Sequence, residues 1–474
     1  MIEKEEQKQD IGKLILIVVC IFSLLFASNL ILRTTPTNGQ AISTQSESEQ
    51  SSDEAKAQQK PKAEMVPVTD QDIKVRKFPY PYQSMLAISS DIDSTSLAEF
   101  EDYHRFLNTK EKTPYGQGLG LDIADSAWMY IADNYGDKLD HEGHSLVNSM
   151  SYFQGVNPKV PKDADKIIHY YKAGWIDSLH TFGDFSRNDK KLLFSRELAD
   201  LAWKEMRTSG FMPEVWINHG TETNVQNFGA YNPKGFSFYQ AGDDPKSPYY
   251  HTDLTLGNGI KFVWNSVGMS QFSYDDPLFP IKLRDGKQVW GFYRYAYDMA
   301  AGKRIWTWEV HELPRQFNKA HLDELAQNEK YSVVAQHLGK GYEALAFNTN
   351  DVQALQLLKK YQDDRKILVA RTERLLNYDR VNHYIRFSVL QSEGKFYINL
   401  TKIEDPVLGE STPILEDVRG LTFYVNDPGQ YTLLINSVPI PDQEIQRNGA
   451  DKSGKQSIGI KWFEPDYTDY TRMN

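Results

Sequence analysis

Residues 84–95 read SMLAISSDIDST, an apolar run that ends in two aspartates one residue apart, followed by small hydroxyl residues. Two carboxylates at the mouth of a buried strand repel each other and are costly to desolvate. They become tolerable when a cation sits with one of them, which leaves the other to act as a base. Ser94, Thr95 or Ser96 is available to cap the helix that follows, so neither Asp91 nor Asp93 is needed for that task.

A second group suited to metal ligation lies in GWIDSLHTFGDFS, where His180 and Asp184 are spaced H-x-x-x-D. Asp93, His180 and Asp184 make a facial set for a divalent ion, with zinc the best match to one imidazole and two carboxylates. Such an ion lowers the pKa of a bound water and polarises a carbonyl. A bland alternative makes His180 a hydrogen-bonded core histidine and Asp184 a cap. Trp175 opens the same run and is a candidate substrate contact. In VWINHGTE, Asn218 and His219 precede a glycine and are candidates to orient substrate, supply a ligand or form a turn. His337 closes the β-branched run of YSVVAQHLGKGY, a position suited to general acid work. In RIWTWEVHELP, alternation puts Thr307, Glu309 and His311 on one face and Trp306 and Trp308 on the other. Glu309 joins Asn218, His219 and Trp175 as a candidate for substrate binding.

The elements that must position these residues form a repeating pattern. SMLAIS, GLGLDIA, GWIDSLH, PEVWIN, IKFVWN, RIWTWEVH, SVVAQHL and KILVART are strand-like, and the stretches between them carry helical spacing. Leu97, Phe100, His104 and Leu107 are one such helical series, with Ser96 and Glu99 as a capping box. Repeated βα units predict an α/β fold, a (β/α)7–8 barrel over residues 77–378. In a barrel the working residues sit at the C-terminal ends of strands. His180, His219, His311 and His337, four of the eleven histidines, fall at such ends. From about Val381 the pattern becomes IRFSVLQ, KFYINLTKI, GLTFYV, QYTLLIN and SIGIKWF, short β-rich stretches separated by turn residues. Residues 379–474 are therefore expected to form an all-β, sandwich-like module that binds carbohydrate or buries one side of the barrel.

With 474 residues, 40% of them hydrophobic, the chain can bury a large core, and nine Trp and 27 Tyr supply rings of the kind that line carbohydrate clefts. A formal charge of −11 argues against nucleic acid. One cysteine, Cys20, excludes an intrachain disulfide and a thiolate cluster. Leu14–Leu32 is 19 residues without a charge, long enough to cross a bilayer. Lys4, Lys8 and Lys13 before it against Arg33 after it predict a cytoplasmic N-terminus, residues 1–13, and an anchor over 14–32. A cleaved signal peptide is the alternative. Residues 33–76 are polar and predicted to be a disordered tether, holding the folded part on the extracytoplasmic face.

The order of D-x-D on a first strand, H-[ST] on a third and a histidine after a late strand resembles the polysaccharide deacetylases, the NodB-like group of the glycoside hydrolase/deacetylase barrel superfamily. The resemblance covers about residues 80–375. It implies a base at Asp91, a metal ligand at Asp93, another at His180 followed by Thr181, and an acid at His337. It implies removal of acetyl groups from N-acetylated or O-acetylated sugars of a cell-surface or exported polysaccharide, with export or assembly proteins as partners. Three departures stand out. Ile92 separates the two aspartates, Asp184 stands where the family has a second histidine, and the family's middle-strand arginine has no match near VWINHG, where His219 is a substitute ligand. Two other functions fit the same residues. Asp91 or Asp93 with Glu309 would form a glycosidase pair, and a degenerate barrel would serve as a non-catalytic glycan-binding or assembly protein.

Overall fold

The strand SMLAISS, Ser84–Ser90 (β1), is buried along its whole length, as a strand covered on both faces must be. It belongs to a computed structural model that describes residues 65–68, 73–131, 149–156, 159–183, 185, 194–220, 224–229, 240–265, 269–339 and 345–472. Around β1 stand Ala124–Ala127 (β2), Ile176–Leu179 (β3), Val215–Ile217 (β4), Phe262–Trp264 (β5), Leu278–Lys282 (β6), Gln288–Phe292 (β7), Tyr331–Gln336 (β8) and Ile367–Val369 (β9). They form one nine-stranded sheet in the order β6-β7-β5-β4-β3-β2-β1-β8, with β9 also paired to β1. Every pairing is parallel except β6 with β7.

This corrects the expected (β/α)7–8 barrel. No strand ladder closes the sheet among the described residues; single bridges, Tyr274–Tyr331 and Tyr295–Val334, are what link its two ends. The run RIWTW is not a strand of that sheet. Lys303–Trp306 pairs antiparallel with Tyr297–Ala300 in a separate exposed hairpin, as its alternating composition suits. The strand that takes its place, β7, carries Gly291 in its interior, where a Cβ would meet the Phe279 ring at 2.4 Å. The expected membrane-spanning helix, and with it the single-pass membrane location, has no counterpart among the described residues. No helix among the described residues is long and apolar enough to cross a membrane. The segments 1–13, 14–32 and 33–64 lie outside the described residues.

Helices lie against both faces. Leu97–Asn108 (α1) begins with the expected box, Ser96 Oγ accepting from Glu99 N while the Glu99 side chain accepts from Ser96 N at 3.0 Å. Its residues Phe100, Tyr103 and Leu107 join Leu86 and Ile88 of β1 in the larger core. The opposite residues of the same strand, Met85 and Ala87, belong to a second core with Leu375, Leu376 and Val381 of helix Thr372–Tyr384 (α7). That helix crosses the expected boundary at residue 378. Beyond it, Ile385–Ser392 (β10) and Lys395–Asp405 (β11) lead a six-stranded sheet, beside a three-stranded one built on Ser457–Ile460 (β12). Ile398, Leu400 and Ile458 of these sheets are part of the second core, so the C-terminal strands bury one face of the main sheet.

A buried ion pair joins the layers. Asp405, at the end of β11, accepts from Arg380 Nη1 of α7 at 3.1 Å and from Trp290 Nε1 of β7 at 3.1 Å, with 5% and 0% of the Arg380 and Asp405 side chains exposed. Removing one partner of such a pair leaves the other charge buried and unmatched. Asp405→Ala is therefore expected to cost about 3–5 kcal/mol in urea denaturation, and Asp405→Asn less. A loss below 1 kcal/mol in Asp405→Ala would show that the layers do not depend on this carboxylate.

Candidate functional site

The C-terminal ends of β1, β3, β4 and β8 converge. Pairing of Ser90 with Gln336 puts the next residues of the two strands, Asp91 and His337, side by side. Ile92 has its amide on Ser126 Oγ at 3.1 Å and its side chain in the helix-side core, 1% exposed. With Ile92 turned inward, both aspartates face the site. Ser94 follows with φ +55°, a left-handed conformation that non-glycine residues adopt at a cost. Thr181, just after His180, has φ +58°, and its hydroxyl donates to His180 O at 2.6 Å. Both ligand-bearing turns are thus held in conformations that their surroundings must impose.

Asp93 is bracketed by two imidazoles. His180 Nε2 lies 2.9 Å from Asp93 Oδ2, and His219 Nε2 lies 2.8 Å from Oδ1. Burial works to raise the Asp93 carboxyl, but the two rings override it and hold it well below the usual carboxylate range. Asp93 Oδ2 and both ring nitrogens of His180 are buried without a hydrogen bond of workable geometry. A buried carboxylate oxygen and an imidazole nitrogen facing each other in this way fit a shared cation. Asp93, His180 and His219 offer donor atoms all within 4.8 Å of one another, and so do Asp91, Asp93 and His337. The donor set of one carboxylate and two imidazoles suits zinc, with coordination positions left for water.

Two elements missing from the sequence reading complete the centre. Arg294, two residues past β7 and fully buried, donates through Nη2 to both carboxylate oxygens of Asp91 at 3.0 Å and to Ser89 O at 2.8 Å. Its guanidinium lies over the Trp264 ring at 4.7 Å. The second element is the buried polar run Asn224, Gln226 and Asn227. Asn224 Nδ2 contacts His219 Nδ1 at 3.1 Å, and Asn224 Oδ1 accepts from Phe185 N at 3.1 Å. Gln226 donates to Gly183 O at 2.7 Å and accepts from Phe182 N at 3.1 Å. These amides tie the loop after His180 to the loop after His219. TETNVQNFGA has only the look of a polar turn, and no spacing in it marks this role.

His337 is held from the other side. Its Nδ1 lies 3.3 Å from Glu309 Oε1, and its Nε2 lies 3.9 Å from Asp91 Oδ2 and 3.8 Å from Asp93 Oδ2. Burial would push the imidazole down, but the Glu309 carboxylate, then Asp93 and Asp91, carry it up to about 10. Glu309 thus contacts a site histidine, and it reaches His337 through a parallel bridge between their backbones. Gly339 lets the chain leave closely, since a Cβ there would stand 2.7 Å from the Thr95 side chain.

The remaining candidates separate. Asp184 lies outside the described residues. His219 comes to Asp93 and occupies the place of a ligand. Asn218 spends its side chain on the scaffold, accepting from Trp216 Nε1 at 2.8 Å and donating to Phe228 O at 2.8 Å. Trp175 precedes β3, at the end away from His180, 2% exposed and stacked on Tyr170 at 5.3 Å. It is a core ring. His311 pairs with Asp351 at 2.7 Å, at the start of helix Thr349–Asp363.

No family model and no curated protein matches the chain. Among solved structures, α-L-fucosidase isoenzyme 1 from Paenibacillus thiaminolyticus is similar at 11% identity, covering 81% of this chain and 95% of that one with a TM-score of 0.25. A likeness at that level carries no argument about fold or reaction.

Proposed function

We propose that the protein is a metal-dependent hydrolase of the polysaccharide deacetylase type, removing acetyl groups from N-acetylated or O-acetylated sugars of a glycan. The observation that carries this reading is Asp93 held between His180 and His219 at 2.9 and 2.8 Å, with Asp91 and His337 beside it. Asp93, His180 and His219 would hold the divalent ion, which lowers the pKa of a water and polarises the acyl carbonyl. Asp91 takes the proton of the attacking water. Arg294 acts as a positioning residue, fixing both Asp91 oxygens so that the carboxylate keeps one orientation. His337 gives its proton to the leaving amine or alkoxide, and Glu309 keeps that imidazole charged and aimed. Asp91 facing Arg294 and Glu309 facing His337 are both engaged, so the glycosidase pair is less well supported than deacetylation.

The direct test is acetate release from acetylated oligosaccharides, with and without chelator. Release is expected to stop on metal removal and to return with zinc. Asp93→Asn is expected to lose the ion of this centre and the activity, whereas His337→Gln keeps that ion and lowers kcat by about 10²–10⁴-fold. No release from any acetylated glycan, or release indifferent to chelator, would sink the reading.

The proton on His337 gives a pH dependence. Its pKa is raised, so the acid form is complete at low pH and is lost as pH rises through that pKa. Glu309→Gln removes the chief group that raises it. The alkaline limb of kcat/KM is expected to move to lower pH in that variant, measured with the same metal bound. An unmoved limb would separate Glu309 from acid catalysis.

A further inference from the structure

At the other end of β8 from His337, a second group of ligand-type side chains comes together. Asp379 and His383 stand one turn apart on α7, on the same face. Asp276 comes from the segment that enters the edge strand β6, with its Oδ1 accepting from Leu278 N at 2.8 Å. One donor atom from each of the three lies within 4.8 Å of the others. Asp379 is fully buried, and neither of its carboxylate oxygens has a hydrogen bond of workable geometry. Among the described residues, its ion-pair partner is His383, whose Nδ1 lies 3.4 Å from Oδ1, and no lysine or arginine pairs with it.

A carboxyl buried in that state must be neutralised by a proton or compensated by a cation, and an imidazole and a second carboxylate at the same point supply a ligand set for the latter. The His383 side chain is 41% exposed and Asp276 is exposed, so solvent reaches the group from outside. His383 Nδ1 also lies 2.9 Å from the Asp379 backbone oxygen, a contact that orients an imidazole as outer partners orient metal-bound histidines.

We propose that Asp276, Asp379 and His383 bind a second divalent cation with a structural role, distinct from the candidate active centre. Two carboxylates and one imidazole form a set that suits zinc, with a further position for water. The ion would pin α7 to the segment before β6. That segment already touches the first residue of β8 through the Tyr274–Tyr331 bridge, one of the single links between the two ends of the sheet. The site would therefore brace, from α7, one side of a seam that the strand ladder leaves open.

Zinc binding to the full chain, stripped with chelator and read by calorimetry and metal analysis, tests this. Asp93→Asn removes the active-centre ion, and that variant is expected to retain one zinc equivalent and to gain Tm when zinc is added. Asp379→Asn or His383→Gln in the same background is expected to abolish both. His383 is a surface side chain, so its variant keeps the result clear of folding failure. Absence of zinc binding in Asp93→Asn, as a proton shared between the carboxyls would produce, overturns the proposal. So does an equivalent that survives both second-site substitutions. A wild-type chain holding a single zinc that is lost in His383→Gln but not in Asp93→Asn would uphold this site and remove the metal from the proposed active centre.

Discussion

The structure depends on matching two carboxylates placed at the end of a fully buried strand. Asp91, Asp93 and His337 bring donor atoms within 4.8 Å of each other. Two unit charges about 4 Å apart interact by about 4 kcal/mol at an effective dielectric of 20, so a bare aspartate pair there would work against folding. The fold answers each carboxylate separately. Arg294 is buried to hold Asp91, and His180 and His219 are drawn to Asp93. The left-handed turns at Ser94 and Thr181 are tolerated because this matching fixes where the residues before them must point.

The same constraint explains why the site draws on strands distant in sequence. No single βα unit can supply two carboxylates, three histidines and the arginine that answers one of them, but parallel strands in register bring their C-terminal ends to one edge. Pairing of β1 with β8 puts Asp91 next to His337, and pairing of β3 with β4 brings the His180 and His219 loops together. A one-residue slip in either would turn the side chains to the other face. What prevents slippage is burial on both faces, by α1 on one and by α7 with the C-terminal strands on the other. The β-rich C-terminal region is in this sense part of the support of the candidate site.

The legible part of the site was the part with a local signature. Asp91, Asp93, His180, His219 and His337 each end an apolar run, and an apolar run followed by a polar residue can be read from one segment alone. The Ser96–Glu99 box is similarly local. Arg294 was not legible because it lies two residues past a short strand whose apolar run is broken in sequence by Gly291, opposite Phe279 of the antiparallel neighbour. Asn224, Gln226 and Asn227 were hidden because their hydrogen bonds run to another loop, and polar residues in a turn look alike whether they face water or backbone. Trp175 misled for the converse reason: an aromatic ring at a strand edge carries no mark of which end of the strand it serves. The hairpin 297–306 shows the same limit, since alternation predicts an extended chain but not which sheet it joins.

Closure of the sheet is where local reading fails most completely, and the physical reason is instructive. Apolar runs separated by helices specify parallel strands, yet whether the first and last strands meet depends on a few contacts between residues far apart in the chain. Here the antiparallel β6 covers the outer edge of β7 and leaves single bridges at Tyr274 and Tyr295 to reach β8. A sheet so joined has less backbone hydrogen bonding at that seam than a closed ladder would supply. The side chains gathered there, Arg294 and Glu309 near the C-terminal end of β8 and Asp276, Asp379 and His383 near its N-terminal end, are charged or ligating rather than apolar. At the C-terminal end of β8 the pairs Arg294–Asp91 and Glu309–His337 add side-chain contacts where strand pairing is sparse, and they place the charged groups of the candidate site along that seam.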